Sequence, residues 1–288
     1  AVAHGQSRDV KNLADDGLLH PVCADIFAGG EPDYPSFHLY QHQTEAIARA
    51  QSREPYVVTS GTGSGKTFTY FLPIFDAVLR SQATAPQVKA IVVYPMNALV
   101  NSQETALRQL ADRYRRRFGR EMPVRFASYT GQANDEQRKS IHDQPPHILL
   151  TNYVMLEYML LRSSDRRLVE NSALEFLVLD ELHTYRGRQG ADIALLVRRL
   201  KERAGRPNLL TIGTSATMAT GNDAQDRRGA VARFAGRLFG ADVAPENVIE
   251  ETLRRVIPPH PAPSQDELRA AVDNLPSVVP SNGYDPQA

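Results

Sequence analysis

A chain of 288 residues with 42% hydrophobic and 23% charged side chains can bury one large core, and that balance excludes disorder over most of its length. Its most apolar runs, 90–94, 176–179 and 193–197, fall far short of the roughly 20 residues a membrane-spanning helix requires, so no such helix is expected. Lysine plus arginine equals aspartate plus glutamate at 33 each, and net charge alone argues for no polyanionic partner.

From the amino terminus, residues 1–36 read as a lead-in. Residues 1–10 have neither the basic region nor the apolar run of a secretory signal, and the missing initiator methionine suggests a trimmed chain. Cys23 is the only cysteine, so neither an intrachain disulfide nor a thiolate zinc cluster can form. A reducing, cytoplasmic setting is expected.

A helix is expected over 40–51, then a strand at 56–60, a glycine-rich turn and a helix at 65–80. The alternation continues with a strand at 89–94, a helix at 98–118, strands at 124–129 and 147–151, and a helix at 153–161. A strand at 176–180, a helix at 191–204, a strand at 209–214 and a helix at 226–239 complete it. Several of these strands are apolar on both faces, which suits an α/β fold whose mostly parallel central sheet carries helices on both sides. Past 257 the composition changes. Pro258, Pro259, Pro261, Pro263, Pro276, Pro280 and Pro286 argue against a compact core, so 258–288 reads as a linker or truncated edge. Ser264 and Glu267 make a capping box for one short helix there.

Charge is distributed unevenly along these elements. Residues 241–288 hold eight acids against Arg254, Arg255 and Arg269, a net of −5, which leaves the first 240 residues at +5. The arginines between 108 and 120, and those between 186 and 206, read first as solvated helix faces.

Chemistry concentrates at Thr59-Ser60-Gly61-Thr62-Gly63-Ser64-Gly65-Lys66-Thr67, directly after a strand and opening a helix. Glycines there let backbone N–H groups turn inward around phosphate oxygens, and the helix amino terminus adds partial positive charge. Lys66 would reach the terminal phosphates and the Thr67 hydroxyl would ligate Mg²⁺. Ser60 stands where G-x-x-x-x-G-K-T has its first glycine, a small-for-small change that a tight turn tolerates. A second acidic group is needed to hold the metal and prepare water. Leu177-Val178-Leu179-Asp180-Glu181 supplies it at a strand's end, with Asp180 for Mg²⁺ and Glu181 to orient or deprotonate the attacking water.

Asp180-Glu181-Leu182-His183 resembles the DEAD/DEAH box of superfamily 2 helicases, and the order of other segments over 37–220 agrees with that family. Leu39-Tyr40-Gln41-His42-Gln43 resembles the Q motif, which implies that Gln43, with Gln41 as fallback, reads adenine. Ser215-Ala216-Thr217 resembles motif III, which implies coupling between the nucleotide and nucleic-acid sites through Ser215, Thr217 and His183. The segments Pro95-Met96-Asn97, Thr130-Gly131-Gln132 and Thr151-Asn152 stand where the family contacts nucleic-acid phosphates, and Arg186 or Arg188 is placed to touch DNA or a second domain. Phe27, Phe37 and Tyr40 are alternative aromatic partners for adenine. His38 and His42 have the spacing of a helical metal pair, but no third ligand accompanies them.

The resemblance implies a RecA-like ATP-binding domain, assigned to 37–257, that uses ATP and Mg²⁺ on nucleic acid. The wording of 95–99 and 180–187 looks like that of large bacterial DNA helicases of repair and DISARM-like phage-defence clusters, which favours DNA over RNA. No Q-x-x-G-R-x-x-R pattern follows Thr217, so a second RecA-like domain carrying the arginine finger is expected on a longer polypeptide. Such a finger is worth about 10³–10⁵ in turnover, and this chain alone should hydrolyse ATP poorly. The rival reading is a catalytically silent clamp on nucleic acid or a partner-docking module.

Overall fold

The computed structural model describes residues 2–4, 6–28, 37–61, 63–81, 86–170, 173–216, 224–251 and 253–255. Thr62, Thr217 and all of 258–288, with its expected short helix, lie outside the described residues. The chain divides into two units, residues 1–3 with 254–288 and residues 4–253. Strands β1 (Val2–His4) and β11 (Leu253–Arg255) form a two-stranded sheet.

The lead-in of the second unit carries β2 (Gln6–Asp9), α1 (Val10–Asp15), α2 (Pro21–Ile26) and β3 (His38–Tyr40), with β2 and β3 antiparallel. The core of this unit is a seven-stranded sheet of β4 (Tyr56–Thr59), β5 (Ala90–Tyr94), β6 (Phe126–Ser128), β7 (Ile148–Asn152), β8 (Phe176–Leu179), β9 (Leu210–Ser215) and β10 (Val248–Glu250). Their spatial order is β10-β4-β9-β8-β5-β7-β6 and every pairing is parallel. Each residue of β4, β5, β8 and β9 is buried, because helices cover both faces and bury strand side chains of either parity.

The longer helices are α3 (Gln41–Gln51), α4 (Phe68–Arg80), α5 (Asn97–Phe118), α6 (Asp135–Asp143), α7 (Tyr153–Leu161), α9 (Gly187–Arg203) and α10 (Ala224–Phe239), with a single-turn α8 (Arg166–Val169). Phe71, Leu72, Ile74 and Phe75 on α4 are at most 2% exposed, and burying each contributes about 1.5–3 kcal/mol. That packing fixes the helix whose first turn follows Lys66. Among the described residues no helix is long and apolar enough to cross a membrane. Cys23 is buried, and burial pushes its thiol well up.

Within the described residues every expected strand and helix occurs, with shifts at their ends. One shift has a clear cause: Gly65 sits at φ 72°, a left-handed conformation no α-helix accepts, so α4 starts at Phe68 and not at 65. The sequence reading lacked α1, α2, α6 and α8 and the strands β1, β2, β3, β10 and β11. Helix α6 buries only Ile141 and has no apolar stripe to reveal it, whereas its Asn134–Gln137 capping box was legible.

This order decides where chemistry can occur. Parallel strands release their carboxyl ends along one edge of the sheet, and β9 lies between β4 and β8. The turn after β4 and the acids after β8 are therefore brought to either side of the last residues of β9.

Candidate functional site

The loop after β4 is braced by its own residues and its neighbours. Ser60 N–H donates to Ser215 O at 3.2 Å, and the hydroxyls of Ser60 and Ser64 meet at 2.5 Å, a cross-link that a glycine at 60 could not make. Gly63 and Gly65 take φ of 81° and 72°, so side chains there would be strained. A Cβ on Gly65 would also lie 2.5 Å from Gln43 Nε2.

Gln43 is buried; its Nε2 donates to Gly65 O at 2.8 Å and its Oε1 accepts from Tyr40 N–H at 2.8 Å. His42 Nε2 lies 3.1 Å from Ser64 O. Both side chains tie the start of α3 to the loop, so Gln43 braces the turn after β4, and Gln41 stands exposed. No group of three or more metal-ligating side chains occurs among the described residues.

Lys66 Nζ donates to Ser60 O at 3.1 Å and stands 3.9 Å from Glu181 Oε1. Asp180 follows β8, its N–H bonded to Val93 O at 2.9 Å, and Thr214 Oγ1 donates to its carboxylate. Burial pushes the Asp180 carboxyl up to about 6 against the Thr214 hydrogen bond, with Glu181 adding to the rise and Lys66 opposing it. Glu181 holds a left-handed φ of 54°, and its N–H donates to Thr214 Oγ1 at 3.3 Å. One hydroxyl thus holds both acids, and Thr214 was missed in the sequence, although it directly precedes the Ser215 singled out there. His183 Nδ1 lies 3.2 Å from Glu181 Oε2 and 3.3 Å from Ser215 Oγ, linking the acidic box to the end of β9.

Thr214→Val keeps the buried shape and removes the shared hydroxyl. On the sequence-based expectation that Asp180 serves Mg²⁺ in ATP hydrolysis, loss of such a supporting hydrogen bond costs about 10–100-fold in metal affinity or activity, and the Mg²⁺ concentration needed for half-maximal hydrolysis should rise accordingly. An unchanged Mg²⁺ requirement would remove Thr214 from the site.

The expected strand-contact segments leave the same sheet edge from β5, β6 and β7. Asn152 Nδ2 donates to Asn97 Oδ1 at 2.6 Å while Asn152 Oδ1 caps α7 by accepting from Met155 N–H at 2.7 Å. Thr151 is fully buried and its hydroxyl donates to Tyr129 O at 2.7 Å, so it ties two segments together and does not face solvent. Thr130 is buried too and accepts from Gln132 N–H at 3.3 Å, whereas Gly131, Gln132 and Arg186 are exposed and Pro95 and Asn97 partly so. Arg115, Arg116 and Arg117 lie in the last turn of α5 and are exposed, at the opposite end of the sheet from this edge.

Among the three aromatics, Phe27 is buried edge-on against Phe68 and Phe75, and Tyr40 stacks over the His42 ring at 5.7 Å. Phe37 is 38% exposed with its ring on Phe68 at 5.2 Å, which leaves a face for a planar ligand beside the loop.

Comparison with known proteins agrees with this geometry. The DEAD/DEAH box helicase family model matches residues 40–225. The chain is 29% identical over 70% of its length to Druantia protein DruE of Escherichia coli, covering 17% of that protein. It is 32% identical over 63% of its length to the uncharacterized ATP-dependent helicase YprA of Bacillus subtilis, covering 23% of it. In structure it resembles the DUF1998 helicase MrfA bound to DNA, with a TM-score of 0.68 and 23% identity over 86% of this chain and 31% of that one. The chain thus spans under a third of each of these proteins.

Proposed function

Because the chain belongs to the DEAD/DEAH box helicase family, we propose that it is the first RecA-like motor domain of an ATP-dependent DNA helicase or translocase, spanning about 37–257 and working in the cytoplasm. The observation that carries this reading is the shared hydroxyl of Thr214, which holds the acidic pair beside Lys66 at the sheet edge where Asn97, Gly131 and Gln132 also emerge.

In this reading the backbone N–H groups of 63–67 and the Lys66 ammonium hold the phosphates, and Phe37 stacks on adenine. Hard oxygen donors, the Thr67 hydroxyl and the Asp180 carboxylate, fit Mg²⁺; when bound it would neutralise phosphate charge. Asp180, whose burial disfavours a bare charge, suits a cation as partner. Glu181 orients and deprotonates water. His183 and Ser215, with Thr217 as a further hydroxyl, relay the state of the site toward the strand-contact segments. Partly exposed Asn97 and exposed Gly131, Gln132 and Arg186 meet the phosphates of the strand, with Asn152, Thr130 and Thr151 holding those contacts in place.

A second RecA-like domain of a longer polypeptide would supply the arginine finger. DNA is favoured over RNA by the wording of 95–99 and 180–187, and the MrfA structure holds DNA. Filter binding of matched single-stranded DNA and RNA across a salt series tests the substrate, with ATP hydrolysis measured alongside. Tighter, steeply salt-dependent DNA binding and DNA-stimulated hydrolysis support the motor. Binding without turnover once the remaining polypeptide is restored would mean a clamp.

A further inference from the structure

Tyr185 closes the turn after the acidic pair, its N–H donating to Leu182 O at 3.0 Å, and its side chain is fully buried. The phenol hydroxyl finds no hydrogen-bond partner among the described residues. Glu181 Oε2 is buried as well, and it approaches His183 Nδ1 at 3.2 Å without making a hydrogen bond. Asp180, Tyr153 and Glu181 are near enough to act electrostatically on the phenol. Tyr153 opens α7 directly after Thr151 and Asn152, and it packs against the same hydrophobic cluster as Tyr185. Behind the turn the backbone has no room to retreat: a Cβ on Gly190 would lie 2.6 Å from Tyr185 O.

Packing alone needs only the ring, since phenylalanine would fill the same space and leave no oxygen to satisfy. A buried hydroxyl without a partner is destabilising, and each such group calls for an account. Here the unsatisfied oxygen belongs to the residue that closes the turn after the acidic pair, in the cluster against which Tyr153 at the start of α7 also packs. Resting on the motor reading, we propose that Tyr185 is a positioning residue: when nucleotide fills the phosphate loop its hydroxyl donates a hydrogen bond to the Asp180–Glu181 pair, and the hydrophobic cluster against which Tyr153 also packs passes that occupancy to 151–156. No bond of the substrate is made or broken by Tyr185. Its hydroxyl biases which of two arrangements the segment adopts.

The test is amide hydrogen exchange on the chain and on Tyr185→Phe, each with and without saturating AMPPNP and Mg²⁺. In the parent, nucleotide should slow exchange at 63–67 and, by at least about fivefold, at 151–156. In Tyr185→Phe the loop should be protected as before, the unliganded exchange pattern and thermal midpoint should be unchanged or improved, and the protection at 151–156 should vanish. Protection at 151–156 that survives in Tyr185→Phe overturns the proposal, as does its absence in a parent whose loop is protected. Altered exchange in the unliganded variant would also overturn it, because the hydroxyl would then be structural. A parent with no protection at 63–67 instead removes the motor reading itself.

Discussion

Glu181→Gln is expected to leave ATP affinity within about twofold of the parent while single-turnover hydrolysis falls by about 10²–10⁴. The two neighbouring acids stand in different surroundings, and the difference assigns their roles. Asp180 is sunk beside Thr214, whose hydroxyl points into its carboxylate. Glu181 has a side chain 26% exposed, open to the solvent from which an attacking water comes, and its left-handed φ of 54° turns it out of the line of β8. A left-handed residue that is not glycine is a strained choice, the kind found where a side chain must be aimed. Glutamine keeps that aim and the size of the group but cannot accept a proton. Because the chain alone is expected to turn over slowly, the chemical step should be read in a single turnover with phosphate release as the signal. Hydrolysis at the parent rate would take the base role away from Glu181, and lost ATP binding would show that its charge serves the ground state.

Most of this site could be read before the fold, and the reason is local. A phosphate-binding loop is contiguous in sequence because its donors are successive backbone amides, so Ser60 to Thr67 are recognisable together. The acidic pair is legible because four apolar residues precede it in one short strand. What could not be read is contact between segments. Nothing at position 43 shows that its amide is engaged with Gly65 O, because that depends on α3 packing over the loop. Thr214 reads as an ordinary strand residue until β9 is found between β4 and β8. Thr151 shows the converse: a hydroxyl at a strand's end suggests a ligand contact, yet pairing of β7 with β6 turns it onto Tyr129 O. Strand β10 was missed for a related reason, since three residues carry no period of their own and gain their place only by pairing with β4.

Lys66→Ala is expected to lower nucleotide affinity by about 10²–10³ and to bring nucleic-acid-stimulated hydrolysis to background, with the fold intact. The ammonium is mostly buried, its side chain 12% exposed, and it holds one backbone acceptor, Ser60 O, at 3.1 Å. Glu181 at 3.9 Å is too far for a direct hydrogen bond, so this carboxylate only partly offsets the Lys66 charge. Such a cation is costly in the empty site and repaid when phosphate oxygens arrive, and that difference between the two states appears as binding free energy. Alanine removes the cost together with the gain. The thermal midpoint without nucleotide should therefore stay or rise, while the upward shift that saturating ATP gives the parent should disappear. Lys66→Arg separates charge from shape: a rigid planar fork cannot follow the lysine stem into this space, so its affinity should stay close to that of Lys66→Ala. Nucleotide-induced stabilisation in Lys66→Ala equal to the parent's would place the phosphates elsewhere.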